Sequence, residues 1–225
     1  MNDKGKFAGV IFDLDGTLYR MSWILRPLLT LKVFPHILRL PRFMKIRGSF
    51  AGKEMGSRVE LLDAISESLS RIEKISAQQA KIWILDTFYP AFVSTMPFFR
   101  NSRPDTDMVL SRLHEAGVKL AVLSDYDSVK DRLDGLGIQH SLFHTITSSE
   151  ASGALKPSPK PLLEIASQWQ LSPEQILVVG DRDDTDGEAA RAAGMSFLRI
   201  IEKKDGSGSG RLWGDVVKEL LLQTA

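Results

Sequence analysis

Two carboxylates separated by one residue, Asp13 and Asp15, are the strongest chemical signal in the chain. They follow residues 10–12, whose β-branched and aromatic side chains favour a short buried strand, and they precede Gly16 and Thr17. Residues two apart on an extended chain point to the same side, so both carboxylates can face one reacting centre. Taken alone, the stretch is explained equally well as a strand followed by an acidic, glycine-containing turn with no catalytic role.

Three later segments carry polar groups where predicted strands end. Ser124 follows the apolar run 118–123, and Lys156 lies at the start of a proline-rich loop. The acidic segment 181–186, DRDDTD, follows the apolar run 176–179. Loops at the carboxyl ends of parallel strands share one edge of the sheet, so these groups can converge on the first acidic pair. Each singly has a plain structural explanation, as a turn residue, a solvated lysine or a helix cap.

The alternation of short apolar runs and helical segments after residue 117 predicts the fold class. It indicates an α/β fold, a Rossmann-like three-layer α/β/α arrangement around a parallel sheet. The predicted strands are 10–12, 118–123, 143–147, 176–179 and 196–201, and the predicted helices after residue 117 are 127–136, 162–169, 188–193 and a short C-terminal one. We expect a flexible loop over 203–210 because of its glycines and serines.

The stretch between Asp15 and Ser124 is far longer than the dozen or so residues that a crossover needs, so it must contain an insertion. Apolar spacing predicts a helix over 58–72, a capping box at Ser76 begins another that runs to about Thr87, and a further helix lies between Pro104 and Gly117. We interpret 89–99 as an irregular, buried connector. We predict a core domain of residues 1–19 and 104–225 and a helical cap domain of residues 20–103.

The first part of this insertion has an unusual charge pattern. Between Gly16 and Lys53 there are eight cations and no acid, interleaved with apolar residues and three prolines. The cations belong to a solvated face of short helices, to an anion-attracting lid, or to a surface that contacts acidic lipid or an anionic partner. Charge reversal at Arg39, Arg42 and Arg47 tests the last two alternatives.

Composition excludes several classes of function. The chain has 225 residues, no cysteine and a net charge of +1, so disulfides and thiol chemistry are absent and a general affinity for nucleic acid is not expected. No run of about 18 apolar residues predicts a membrane span, and no signal-peptide pattern precedes the first acidic pair. We expect a cytoplasmic protein whose oligomeric state the sequence does not define.

Together, the four polar segments resemble the motifs of the haloacid-dehalogenase-like (HAD) hydrolase superfamily. The matching elements, in the family's order, are DLDGT at 13–17, Ser124 at a strand end, Lys156 within LKPSP, and GDRDDTD at 180–186. The resemblance covers the predicted sheet domain, and the insertion falls where the family's C1-type cap falls. It implies hydrolysis of a small-molecule phosphate monoester through an aspartyl-phosphate intermediate.

The resemblance also implies a role for each matching residue. Asp13 would be the nucleophile, and Asp15 would be the general acid and then the general base. Thr17 and Ser124 would bind the phosphoryl oxygens, and Lys156 would offset the negative charge of the transferring group.

The cofactor that the resemblance implies is Mg²⁺, which favours oxygen ligands. The family's ligands correspond to Asp13, the backbone carbonyl of Asp15, Asp181 and Asp186. The choice of Asp181 and Asp186 rests on their spacing in the motif, and Asp183 and Asp184 are the alternatives for this role. Asp125 is a departure, because many members have asparagine after the motif serine.

The presence of Asp15 distinguishes the phosphatases of this superfamily from its other enzymes. Its dehalogenases lack a second acid at this spacing, and its transport ATPases have threonine there and need membrane helices. Phosphate-monoester hydrolysis is therefore the leading hypothesis, with phosphomutase activity as the enzymatic alternative. A non-catalytic binding or regulatory protein that uses the basic cap surface is the alternative from another class.

Overall fold

A computed structural model describes residues 7–203 and 210–222. In these residues five parallel strands form one sheet, in the order β3-β2-β1-β4-β5. The strands are β1 (Gly9–Phe12), β2 (Lys119–Ser124), β3 (Thr145–Ser148), β4 (Ile176–Gly180) and β5 (Ser196–Arg199). The strand that precedes the acidic pair is central, and β2 and β4 flank it.

Helices cover both faces of this sheet, as the three-layer prediction requires. On β1, Val10 and Phe12 face one layer and Ile11 faces the other, which is the two-residue period of a strand. The first layer contains α6 (Thr106–Glu115), α7 (Val129–Leu136) and α10 (Trp213–Leu221). The second contains α8 (Lys160–Trp169) and α9 (Glu188–Ala193).

A helical insertion separates β1 from β2. It comprises α1 (Leu25–Lys32), α2 (Arg39–Gly48), α3 (Arg58–Glu73), α4 (Ala77–Ile82) and α5 (Tyr89–Val93). Phe88 is buried at its centre, with ring contacts to Phe43, Trp83 and Phe92. The insertion therefore has an aromatic core, and this core is continuous with the first layer of the sheet domain.

The prediction of an irregular connector over 89–99 is wrong for most of its length. Residues Tyr89–Val93 are α-helical, and Met96–Phe99 form a 3₁₀ turn. A wide turn precedes them, in which the Tyr89 N–H donates to the carbonyl of Ile84, five residues back. This turn lets the helical path continue into Pro90, which has no N–H to donate.

Other boundaries differ less. Strand β3 begins two residues later than predicted and β5 ends two residues earlier. The capping box at Ser76 is confirmed. The predicted loop at 203–210 falls largely outside the described residues, and the exact domain boundaries remain predictions. None of the helices within 7–203 and 210–222 is both long and apolar enough to cross a membrane.

Candidate active site

The predicted site residues come together at the carboxyl ends of β1, β2 and β4. The backbone N–H of Asp13 donates to the carbonyl of Val179 at 2.9 Å, which extends the β1–β4 pairing by one residue. Asp13 is buried, and its carboxylate forms a cluster with Asp181 and Asp186. One carboxylate oxygen from each of the three residues lies within 4.8 Å of the others.

Lys156 binds this acidic cluster from the loop after β3. Its Nζ donates to Asp13 Oδ1 at 2.7 Å and to Asp186 Oδ1 at 2.5 Å. Burial opposes the charged form of this lysine, but the attraction of the two carboxylates outweighs it and raises the pKa of Lys156 well above its usual value. Lys156 therefore carries its positive charge beside the acidic cluster.

One lysine does not neutralise three neighbouring carboxylates. Burial and repulsion by Asp186, Asp15 and Asp181 raise the pKa of Asp13 well above its usual value, even against the attraction of Lys156. Burial and repulsion by Asp186 likewise raise the pKa of Asp181 to about 6. A further positive charge beside Asp13 and Asp181 would favour the ionised form of both carboxylates. The oxygen-only donor set fits a hard divalent cation such as Mg²⁺.

Glycine at position 16 is required by the close approach of the acidic loops. Gly16 has a φ of +88°, which side-chain-bearing residues rarely adopt, and a Cβ there would collide with the Asp181 carboxylate. The glycine of the first motif therefore makes room for an acid of the fourth.

The Asp15 side chain points to a different set of partners. Its Oδ1 accepts hydrogen bonds from Tyr19 at 2.5 Å and from Arg132, and its Oδ2 accepts one from Ser124 at 2.9 Å. Burial raises the pKa of Asp15, but the guanidinium of Arg132 and these hydrogen bonds outweigh burial and lower it. Asp15 is consequently ionised in the arrangement observed, and its carboxylate is not part of the cluster that contains Asp13.

The two predicted phosphate-binding hydroxyls are bonded to the acidic pair. Thr17 Oγ1 donates to Asp13 Oδ2 at 3.2 Å. The Ser124 hydroxyl donates to Asp15 and accepts from the Arg132 guanidinium at 2.9 Å. Both side chains are fully buried at the edge where the sequence placed them.

The other acids near the motifs lie outside the cluster. Asp183 and Asp184 are exposed and form ion pairs with Arg191 and Arg182, respectively. The carboxylate of Asp125 accepts the Lys156 backbone N–H at 3.1 Å, so it supports the lysine loop. Of the four acids in the fourth motif, the structure therefore places Asp181 and Asp186 in the cluster with Asp13.

Arg132 and Tyr19, the partners of Asp15, are absent from the sequence-based prediction. Arg132 is fully buried on α7, in the helical face that also buries Val129, Leu133 and Leu136. A cation on the apolar face of a helix is a signal that a buried partner exists, because an unpaired buried charge is costly. The sequence contained that signal, but it did not identify the partner.

The insertion contacts the loop that carries Lys156. Backbone N–H groups of Gly52 and Met55 donate to the carbonyls of Leu155 and Gly153, at 3.1 and 2.8 Å. Residues 51–56 thus lie along the lysine loop, as expected for a lid above the sheet edge.

A buried arginine from α2 adds a second contact between the insertion and the sheet domain. Arg47 forms an ion pair with the buried carboxylate of Glu150 at 3.1 Å. Its guanidinium also lies 3.9 Å from the ring centroid of Tyr126 and donates to the carbonyl of Asp125. These bonds hold one end of α2 beside the residues that follow β2.

The fold and the acidic site define a class of α/β proteins with a catalytic sheet edge and an inserted helical cap. The model of the haloacid dehalogenase-like hydrolase family matches residues 7–194, which is most of the chain. The protein belongs to the haloacid dehalogenase-like hydrolase family.

Phosphatases are among its relatives. A glyceraldehyde 3-phosphate phosphatase of Methanopyrus kandleri is 40% identical over 103 residues, which cover 45% of this chain and 44% of the relative. This chain therefore spans less than half the length of that relative in the alignment. A phosphoglycolate phosphatase of Salmonella paratyphi A is 27% identical over 225 aligned positions, covering 89% of this chain and 83% of the relative.

The fold similarity extends over the whole chain. The magnesium-bound HAD-hydrolase YfnB of Bacillus subtilis superposes with a TM-score of 0.66, covering 96% of this chain and 99% of YfnB. Its sequence identity is 15%, so this likeness concerns the fold alone.

Proposed function

We propose that this protein is a Mg²⁺-dependent phosphohydrolase that cleaves small-molecule phosphate monoesters through an aspartyl-phosphate on Asp13. The observation that carries the proposal is the environment of the Asp13 carboxylate. It is buried at the sheet edge, between the ammonium of Lys156 and the carboxylates of Asp181 and Asp186. This environment provides a candidate nucleophile, a cation and three candidate metal ligands in one compact cluster.

In the first proposed step, an Asp13 carboxylate oxygen attacks phosphorus and the bond from phosphorus to the leaving oxygen breaks. Asp15 gives a proton to that oxygen, which departs as an alcohol. In the second step Asp15 takes a proton from water as the water oxygen attacks phosphorus. The bond to Asp13 then breaks and inorganic phosphate leaves. Lys156 offsets the charge on the phosphoryl oxygens in both steps.

The role of Asp15 requires a change from the arrangement observed. A carboxylate bonded to Arg132 and Tyr19 is ionised, whereas a general acid must carry a proton. We propose that the Asp15 side chain leaves these partners when substrate binds and that its carboxyl group then faces the leaving oxygen. Ser124, released from Asp15, would become free to donate to a phosphoryl oxygen.

Asp13, Asp181 and Asp186 would hold the Mg²⁺ ion, together with the backbone carbonyl of Asp15. When bound, the ion supplies positive charge that keeps Asp13 ionised and polarises the phosphoryl oxygens. The raised pKa values of Asp13 and Asp181 support this assignment, because burial and carboxylate repulsion oppose their ionisation and a bound cation would offset both effects.

The first test is phosphatase activity with and without metal. The purified protein should hydrolyse p-nitrophenyl phosphate with Mg²⁺, lose that activity in excess EDTA and regain it when Mg²⁺ is restored. The same assay on a panel that includes phosphoglycolate and glyceraldehyde 3-phosphate identifies the preferred ester, because relatives with those names exist. Absence of turnover on the whole panel, or full activity in EDTA, would contradict the proposal.

Asp186→Asn tests the metal site within the fourth motif. Removing this carboxylate should raise the Mg²⁺ concentration for half-maximal activity on the order of 10- to 100-fold, since a ligand of the ion is weakened. Asp183→Asn is the matched control, because Asp183 lies three residues away, is exposed and forms an ion pair with Arg191 instead. Equal Mg²⁺ dependence in the two variants would remove Asp186 from the metal site.

A further inference from the structure

Large apolar side chains are exposed along one short part of the helical insertion. Half of the exposed large apolar residues in the described parts of the chain lie between positions 21 and 44. Trp23 is 83% exposed and Phe34 is 72% exposed, and Leu31 and Leu38 are exposed to a similar degree. A concentration of exposed large apolar residues marks an interaction site more often than single, scattered ones do.

These side chains are exposed although the segment is well packed on its other side. Leu25, Leu29 and Val33 are buried in the hydrophobic core. The turn after α1 is held by backbone hydrogen bonds, from the Phe34 N–H to the Leu31 carbonyl at 3.3 Å and from the His36 N–H to the Val33 carbonyl at 2.9 Å. The outward apolar residues therefore contribute nothing to the core of the insertion.

The cations of the same segment fall into two groups. Arg39 and Arg42 both form ion pairs with Glu73, and Arg47 forms one with Glu150. These three arginines, which the sequence alone suggested for charge reversal, already form ion pairs within the fold, and Arg39 and Arg42 share the single carboxylate of Glu73. Reversing them would disturb the structure of the insertion and would not test an external contact.

The second group has no such partners. Arg26, Lys32 and Lys45 are exposed, and no ion pair forms at any of them within residues 7–203 and 210–222. They lie on α1 and α2, interspersed with the exposed apolar residues, and positions 17–52 contain no acid. In the described part of the chain, this segment of the insertion therefore exposes both large apolar side chains and unpaired positive charges.

We propose that this basic apolar surface, formed by Trp23, Arg26, Leu31, Lys32, Phe34, Leu38 and Lys45, docks on an anionic lipid membrane. Tryptophan, phenylalanine and leucine beside lysine and arginine are the composition of protein segments that lie in the membrane interface. The positive charge matches acidic headgroups, and the large side chains reach the boundary of the acyl chains. An acidic protein partner is the alternative occupant, and it predicts no binding to the lipid vesicles described below.

The proposed docking surface shares no residue with the contacts between the insertion and the lysine loop. The parts of the insertion that contact the lysine loop and the end of β2 are residues 51–56 and Arg47, which lie outside the basic apolar surface. The inferred contact would hold the enzyme at a lipid surface without using its catalytic residues. This inference does not depend on the proposed phosphatase activity.

Tryptophan fluorescence with defined vesicles gives a direct test. Trp83, Trp169 and Trp213 are buried, so a lipid-induced blue shift reports on Trp23. With vesicles of phosphatidylglycerol and phosphatidylcholine, the full chain should sediment with the lipid and its emission should shift to shorter wavelength. Pure phosphatidylcholine vesicles should produce neither effect, and raised salt should weaken the anionic binding.

Two variants separate the apolar and charged contributions. Trp23→Ser combined with Phe34→Ser, and Arg26→Glu combined with Lys32→Glu, should each lower the partition coefficient for the anionic vesicles by at least about tenfold. Phe98→Ser is the control, because its ring is exposed to a similar degree on another segment. All three proteins should retain the circular dichroism spectrum and the thermal midpoint of the wild type, which shows that they are folded.

Three results would overturn the inference. The first is no sedimentation of the wild-type chain with anionic vesicles. The second is binding that the charge variant or the apolar variant leaves unchanged. The third is a dimer in light scattering that Trp23→Ser with Phe34→Ser dissociates while lipid binding is absent, because the surface would then join two copies of this chain.

Discussion

Asp13→Asn should abolish turnover. The amide has nearly the same shape as the carboxylate but cannot form the aspartyl-phosphate, so kcat for p-nitrophenyl phosphate should fall at least about 10⁴-fold. The measurement is steady-state hydrolysis with saturating Mg²⁺. A loss of this size identifies the residue as part of the reaction and not merely as a support for Lys156.

Stability distinguishes this loss of activity from a loss of structure. Asp13 is a buried acid whose pKa is raised by burial and by Asp186, Asp15 and Asp181, so its ionised form is strained in the protein without metal. A neutral asparagine relieves part of that repulsion. We therefore expect a thermal midpoint in EDTA at or above that of the wild type. Retained activity would refute Asp13 as the nucleophile. If Asp13→Asn does not fold, its loss of activity does not identify the nucleophile, and the phosphoenzyme measurement described below decides the question.

Asp15→Asn should slow the two chemical steps unequally. A p-nitrophenolate leaving group departs without needing a proton, so phosphorylation of Asp13 should continue. Hydrolysis of the phosphoenzyme needs a base for water, and its rate should fall on the order of 10²- to 10⁴-fold. Rapid mixing should then show a burst of p-nitrophenol, close to one equivalent of enzyme, followed by slow turnover.

Tyr19→Phe is the control for this variant. It removes the hydroxyl that donates to Asp15 at 2.5 Å but keeps both the carboxylate and the Arg132 ion pair. We expect a change in kcat much smaller than that in Asp15→Asn, and no burst. If the two variants lose activity equally, the loss in Asp15→Asn reflects the missing hydrogen bond from Tyr19 and not a proton transfer by Asp15. An alkyl phosphate, whose leaving group needs a proton, should show both steps slowed in Asp15→Asn.

The sequence was sufficient to predict the sheet and the position of the site on it. The apolar run of Val10, Ile11 and Phe12 and the strand–helix alternation after residue 117 reflect a sheet that is buried on both faces, which is a local and repeated signal. The site followed from one topological fact, that parallel strands deliver their ends to one edge. In the structure, the carboxylates of Asp13, Asp181 and Asp186 lie together, and Lys156 donates to two of them.

The hydrogen-bond partners of Asp15 could not be predicted from strand patterns and topology. It depends on Arg132, which is 117 positions away and reaches Asp15 only when α7 packs on the sheet. Spacing relations report local geometry, whereas this pairing is a product of tertiary packing. For the same reason, the sequence treated the cations of the insertion as one group, and only the fold separates Arg47 and its buried partner from exposed cations such as Lys32.

The central claim is that Asp13 becomes phosphorylated, and the most direct measurement is the location of the phosphoryl group. Asp15→Asn protein mixed with p-nitrophenyl phosphate and Mg²⁺, quenched in acid and digested, should yield one phosphorylated peptide by mass spectrometry. We predict that the modification lies on Asp13 and that it is absent when Asp13→Asn is added. A phosphoryl group on another residue, or turnover with no phosphopeptide under any quench time, would contradict the account.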